Sequence, residues 1–295
     1  MTNLCNVNGE IVPEEDARIS VMDRGFLFGD SIYEVTRTRE GVPFAWSAHL
    51  ERLHHSAVGL EMDLGLSDRE LTQRIMGTIE AAGNAESYVR VILTRGVGTF
   101  PNIDVRYAEG GATCVIMIRT LPEGLDRPAQ VAIVPRLRTD RRSLDPAIKS
   151  GNYLNNVMGL KEARNRGASE CLFMNQDGKL TEASTSNVWI IQGDTVATPA
   201  LGAGLLAGVT RRLLLATCQQ EGIACVEKDL YEADVRSADG MFLTSTLREI
   251  APVDELDGTP MPPSPLIADL KSRFSEHCRR HAVEIDRPAI DALTL

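Results

Sequence analysis

The segment Thr120-Leu121-Pro122-Glu123-Gly124-Leu125-Asp126-Arg127-Pro128 constrains the fold more than any other part of the chain. Two prolines and a glycine in so short a run admit neither a continuous helix nor a paired strand, so regular structure must stop there and begin again. At 295 residues the chain is long enough for two packed cores. The expected division is an N-terminal α+β domain over residues 1–120, a linker over 121–128 and a C-terminal domain of mixed helix and strand over 129–295.

In the first part, Asn8-Gly9 between short apolar runs predicts a hairpin over Leu4 to Val12. Ser31 to Arg39 alternates as a strand, with Ile32, Glu34, Thr36 and Thr38 on one face and Tyr33, Val35, Arg37 and Arg39 on the other. Ser47 is the expected cap of a helix through Leu60, with Leu50, Leu53, Ala57 and Leu60 on its apolar stripe and Arg52 off it. Ser67-Asp68-Arg69-Glu70 has the capping-box pattern and opens a second helix. Strands follow at Tyr88 to Thr94 and Thr113 to Arg119. The loop joining them, Arg95 to Gly111, is longer than a hairpin requires and is a candidate pocket wall. In the second part, strands are expected at Gln130 to Pro135, Cys171 to Met174, Val188 to Ile191, Val196 to Thr198, Cys225 to Lys228 and Met241 to Thr244. Helices are expected at Asn155 to Arg166, Val209 to Glu221 and Leu266 to His281.

Composition removes several classes of function. The net charge of −10 argues against a nucleic-acid binder, whose affinity rests on basic surface. No apolar run reaches the roughly 18–20 residues of a membrane span, and Met1-Thr2-Asn3-Leu4 does not read as a signal peptide. The expectation is a cytoplasmic protein with no membrane partner. The six cysteines are scattered without a Cys-x-x-Cys pair and read as reduced, mostly buried residues. His277 and His281 could share a helix face beside Cys278, but no third ligand of suitable spacing accompanies them, and no metal site is expected.

The chemistry-bearing stretch is Ile148-Lys149-Ser150-Gly151-Asn152-Tyr153-Leu154-Asn155-Asn156. Lys149 sits between an apolar residue and a polar, glycine-containing turn. A lysine held there and partly desolvated can act as a nucleophilic amine, although taken alone it also suits a surface lysine. Glu182 stands in a nearly uncharged segment at the mouth of a β-branched strand, where a carboxylate can serve a cationic ring nitrogen. A lysine that forms a Schiff base and an acid that holds a pyridinium are the protein groups that pyridoxal phosphate most needs. The small residues of Gly202 to Gly208 lead into Val209-Thr210-Arg211, where free N–H groups and the Thr210 hydroxyl suit an anion. The same stretch equally suits a loop entering a core helix.

Taken together, Asp23 to Asp30, the Lys149 turn, Leu180 to Asn187, Gly208 to Arg211 and Thr244-Ser245-Thr246 resemble the class IV, or fold type IV, pyridoxal-phosphate aminotransferases. That group includes branched-chain and D-amino acid aminotransferases and aminodeoxychorismate lyase. The resemblance implies an α+β, two-domain enzyme with a smaller N-terminal and a larger cofactor-binding C-terminal domain. It also implies a homodimer whose pockets are completed by a loop of the partner. Lys149 carries the cofactor and moves the proton, Glu182 holds the ring nitrogen and Tyr153 the ring oxygen. Arg52, Val209, Thr210, Ser245 and Thr246 hold the phosphate, while Thr246 and Leu247 meet the substrate carboxylate. Tyr33, Val35, Arg37 and Arg90 become pocket residues, with Arg90 equally open to a structural role. Arg37 matches the branched-chain enzymes and Val35 the D-amino acid enzymes, whose Arg-x-His carboxylate trap is replaced here by Phe100-Pro101-Asn102. The expected reaction is transfer of an amino group from an aliphatic L-amino acid to 2-oxoglutarate. The alternatives are D-amino acid transamination, an aminodeoxychorismate-type lyase and a non-catalytic cofactor carrier.

Overall fold

The alternation of Ser31 to Arg39 is realised as a strand in the computed structural model of the chain, which describes residues 3–294. Two units form. The first comprises Met1–Glu123, Ile148–Asn152 and Cys278–Leu295, and the second Gly124–Ala147 and Tyr153–His277. These are not the contiguous segments that one cut at residues 121–128 would make. The Lys149 turn belongs to the first unit because it bonds to the strand at Ser31 to Arg39. The C-terminal segment belongs there because Asp286 Oδ2 accepts from Ala45 N at 2.7 Å and Ile290 is buried in the first core.

In the first unit, β1 (Leu4–Val7) and β2 (Glu10–Pro13) form the hairpin that Asn8-Gly9 predicts, both turn residues having positive φ. Helix α1 (Arg24–Phe28) precedes β3 (Ser31–Arg39) and β4 (Val42–Pro43). Helices α2 (Trp46–Gly59) and α3 (Asp68–Ala82) then lead to β5 (Ser87–Thr94) and β6 (Thr113–Thr120). The strands make one antiparallel sheet in the order β2-β1-β6-β5-β3-β4. Its core face presents Ile32, Val89, Val91, Leu93, Ile116 and Ile118, which cluster with Leu50 and Leu53 of α2 and Leu71 and Ile75 of α3. Each such aliphatic side chain contributes about 1.5–3 kcal/mol by leaving water. The opposite face carries Tyr33, Val35 and Arg37 beside Ile92, Arg90 and Tyr88. Ser67 and Glu70 make the expected capping box. Ser47 is not the cap of α2: the helix starts at Trp46 after a left-handed Ala45, whose N–H is taken by Asp286. A cap supplied from so far along the chain has no local sequence signal.

The second unit begins with β7 (Ala129–Leu137), α4 (Leu154–Arg164), β8 (Glu170–Met174), β9 (Leu180–Ala183), β10 (Asn187–Gln192) and β11 (Thr195–Pro199). It continues through α5 (Val209–Gln220), β12 (Cys225–Lys228), α6 (Glu232–Arg236), β13 (Gly240–Ser245), β14 (Glu249–Leu256) and β15 (Thr259–Pro260). The sheet runs β12-β11-β10-β13-β14-β7-β8-β9, with β15 on β14. Pairing is parallel for β7 with β8, β7 with β14 and β11 with β12, and antiparallel elsewhere. Strands β8, β10 and β13 are buried almost end to end, which accounts for the apolar runs at their centres. Trp189 stacks on Phe242 with ring centres 5.6 Å apart. Helix α7 (Pro265–His281) leads out of this unit, and α8 (Arg287–Thr294) closes the first.

Candidate active site

In the first unit Lys149 is held by its backbone. Lys149 O accepts from Tyr33 N at 3.0 Å, and Gly151 N donates to Ser31 O at 2.8 Å, so the turn lies along the start of β3. Lys149 N donates to Ser56 Oγ of α2 at 3.1 Å. Gly151 is required by closeness: a Cβ there would stand 2.2 Å from Ser31 Oγ. The half-buried Lys149 side chain is left to reach over Tyr33, with Nζ 4.4 Å from the ring centre. Arg90 meets the same ring, its Cζ 4.3 Å from the centre. One aromatic ring thus orders two cations.

Arg52 does not reach solvent as an off-stripe residue would. Its Nε and one Nη donate at 2.7 Å to the two oxygens of Glu34, which the alternation of β3 points inward. His49 Nδ1 lies 2.7 Å from the same carboxylate. Burial pushes the Glu34 carboxyl up, but Arg52 and His49 outweigh it and hold it well below the ordinary carboxylate range. Burial is also the largest influence on His49 and pushes its pKa down, against the pull of Glu34. A neutral His49 then donates its Nδ1 proton to Glu34.

The unfolded histidine therefore binds a proton that the folded one refuses. That contribution to stability is complete above the unfolded value of about 6.5 and is lost as pH falls below it. Denaturant unfolding is expected to show stability falling from pH 7 to pH 5, this group adding at most about 1.4 kcal/mol per pH unit. His49→Gln should flatten the slope. The same slope in the variant would assign the dependence to other groups.

Arg37 and Arg39 follow on β3, both half-buried. Burial pulls the Arg37 pKa down, against Glu86 and Cys278. A desolvated guanidinium on this face is suited to an incoming carboxylate.

In the second unit Glu182 is buried on β9. Its Oε1 accepts from Arg138 Nε at 2.8 Å and its Oε2 from Leu206 N at 3.1 Å. The strand turn beyond it is fixed by Glu170, which accepts from Ser184 N at 3.0 Å, Ser184 Oγ at 2.5 Å and Thr185 Oγ1 at 2.9 Å. Burial pushes the Glu170 carboxyl up, opposed by those three donors.

Leu206 links this carboxylate to the head of α5, which could hold an anion. Its carbonyl accepts from Asn187 Nδ2 at 2.9 Å, and the chain then enters α5 through Gly208. A Cβ on Gly208 would stand 1.9 Å from Asn187 Oδ1, so only glycine lets the loop pass. No side chain caps α5, and the buried Thr210 Oγ1 in its first turn has no hydrogen-bond partner among the described residues. Buried hydroxyls are seldom left so. Val209 is buried beside it. Ser245 ends β13, and Thr246 and Leu247 occupy the half-buried turn into β14. Tyr153 stands at the start of α4, half-buried.

A carboxylate for a ring cation and an uncapped helix end with an orphaned hydroxyl, joined by one short loop, fit a pyridinium phosphate. The sequence reading did not single out Arg138, Ser56, Glu170 and Leu206. Arg138 lies in the charge-rich run Arg136 to Arg142, which reads as solvated surface. Leu206 acts through its backbone and leaves no residue-type signal at all.

The pattern that defines amino-transferase class IV matches residues 31–256. The chain belongs to that family, whose members are pyridoxal-phosphate-dependent aminotransferases. It is 35% identical over 255 residues to a protein of Methanocaldococcus jannaschii provisionally assigned as a branched-chain-amino-acid aminotransferase, covering 85% of this chain and 87% of that one. It is 30% identical over 252 residues to a D-alanine aminotransferase of Bacillus licheniformis, with the same two coverages. Its structure resembles the branched-chain aminotransferase of Thermoproteus uzoniensis crystallised with norvaline, with a TM-score of 0.88, 25% identity and 98% of each chain covered. The mixed helix and strand architecture is that of fold type IV.

Proposed function

We propose that the chain transfers an amino group from an aliphatic L-amino acid of the branched-chain kind to 2-oxoglutarate, with pyridoxal phosphate carried on Lys149. The observation that carries this reading is the Tyr33 ring, which orders the Lys149 amine and the Arg90 guanidinium together. The Methanocaldococcus jannaschii relative supports the branched-chain assignment. A protein of this kind acts on small amino and 2-oxo acids as a soluble homodimer in the cytoplasm.

When bound, the cofactor supplies an aldehyde that condenses with amines and a protonated ring that takes up electrons. Thr210, the N–H groups at the head of α5, Val209, Ser245, Thr246 and the guanidinium of Arg52 hold its phosphate. Glu182 holds the ring nitrogen and the Tyr153 hydroxyl the ring oxygen. Lys149 Nζ takes the α-proton from the amino acid and later returns one to the keto acid. Thr246 and the Leu247 N–H meet the α-carboxylate. Val35 and Tyr33 flank the side chain, and Arg37 or Arg90 receives the distal carboxylate of glutamate.

D-amino acid transamination is the second reading, favoured by Val35 and by the Bacillus licheniformis relative. The amino-donor half-reaction separates the two. L-leucine and L-glutamate are expected to bleach the visible band of the lysine-bound cofactor rapidly, and D-alanine slowly. Arg37→Ala should weaken 2-oxoglutarate about 10-fold or more while leaving monocarboxylic keto acids nearly unchanged, the loss of one charge-assisted hydrogen bond. Rapid bleaching by D-alanine with none by L-leucine would overturn the L-reading.

A further inference from the structure

We propose that Arg138 is a positioning residue that fixes the rotamer of Glu182 and shares its charge, so that the ring nitrogen meets a partly neutralised carboxylate. This deepens the proposed function and rests on Glu182 addressing the cofactor ring. The pair is nearly dry: the side chains of Arg138 and Glu182 are 10% and 7% exposed, and Nε lies 2.8 Å from Oε1. At that depth the attraction is screened far less than on a surface.

Arg138 is itself held on several sides. Its backbone N donates to Met174 O at 2.9 Å, and Asn155 Nδ2 donates to the neighbouring Leu137 O at 3.0 Å. Its Nη1 reaches Asn156 Oδ1 at 3.5 Å, and Asn156 Nδ2 donates to Ser184 O at 2.8 Å. The guanidinium thus joins Asn156 of α4 to Glu182 of β9, and Asn156 carries the contact on to the turn at Ser184. With Leu206 N on the other carboxylate oxygen, Glu182 is gripped from both ends and has one orientation to offer. The fixed positive charge has a second effect. Every protonation that makes the bound cofactor more positive must work against it.

The test compares Arg138→Met, Arg138→Lys and the unaltered protein, each loaded with pyridoxal phosphate and followed by visible absorbance against pH. Removing the charge in Arg138→Met should raise the midpoint of the visible transition by about one pH unit. The cofactor should also be held roughly 10-fold more weakly. Arg138→Lys restores the charge without the planar fork. Its midpoint should stay near that of the unaltered protein while affinity remains reduced. A loss of thermal stability with midpoint and affinity both unchanged in Arg138→Met would make Arg138 a structural residue and overturn the inference alone. No visible band in the unaltered protein would overturn the cofactor reading, and the inference with it.

Discussion

Lys149→Ala is expected to abolish transamination, with a fall on the order of 10⁴-fold or more, while the protein still folds. The magnitude follows from what is removed, an amine proposed both to attach the cofactor and to move the α-proton, the second function alone being worth about 10²–10⁴-fold. Folding should survive because the turn is held through backbone groups: Lys149 O on Tyr33 N, Lys149 N on Ser56 Oγ and Gly151 N on Ser31 O. The truncation removes one cation from the Tyr33 ring and leaves Arg90 on it. Borohydride reduction of the unaltered protein followed by peptide mass spectrometry should place the cofactor on Lys149. An adduct on any other lysine, or substantial turnover by Lys149→Ala, would remove Lys149 from its proposed role. Small amines added to the variant should restore part of the rate.

Glu182→Gln should slow the proton-abstraction step by about 10²–10³-fold and weaken cofactor binding much less. A neutral amide cannot balance a protonated ring nitrogen, and electrostatic partners of developing charge are worth that much in a dry site. The residues proposed to hold the phosphate, around Gly208 and Thr210 at the head of α5, are untouched by the change. There is a structural cost as well, because Arg138 is left with no carboxylate beside it and Leu206 N with a weaker acceptor. Breaking such a buried pair costs about 3–5 kcal/mol in general. Deuterium at the α-carbon separates the two consequences. A larger isotope effect in the variant marks a slower proton transfer, whereas an unchanged rate of that step would make Glu182 a structural acid.

Periodicity and turn chemistry carried most of the elements. The alternation of Ser31 to Arg39 announces both faces of β3, and Asn8-Gly9 announces a hairpin because few other dipeptides accept two positive φ angles. The capping box at Ser67 is equally local. The start of α2 was not legible, since Asp286 acts on Ala45 from the far end of the chain. The division of the chain was legible only in part. A proline-rich linker marks where regular structure stops, but not that Ile148–Asn152 and Cys278–Leu295 return to the first unit.

The sequence by itself determined the family and singled out the two groups proposed to react. Lys149 and Glu182 stand in motifs whose residue types answer to chemistry, and chemistry at a site tolerates few substitutes. The tertiary structure decided who holds those groups. Arg52 turns to Glu34 and His49, Arg138 to Glu182, and Leu206 contributes only a backbone N–H. Such partners are chosen by proximity after folding. A guanidinium 44 residues from its carboxylate, or a main-chain donor that every residue but proline possesses, leaves no pattern along the chain to read.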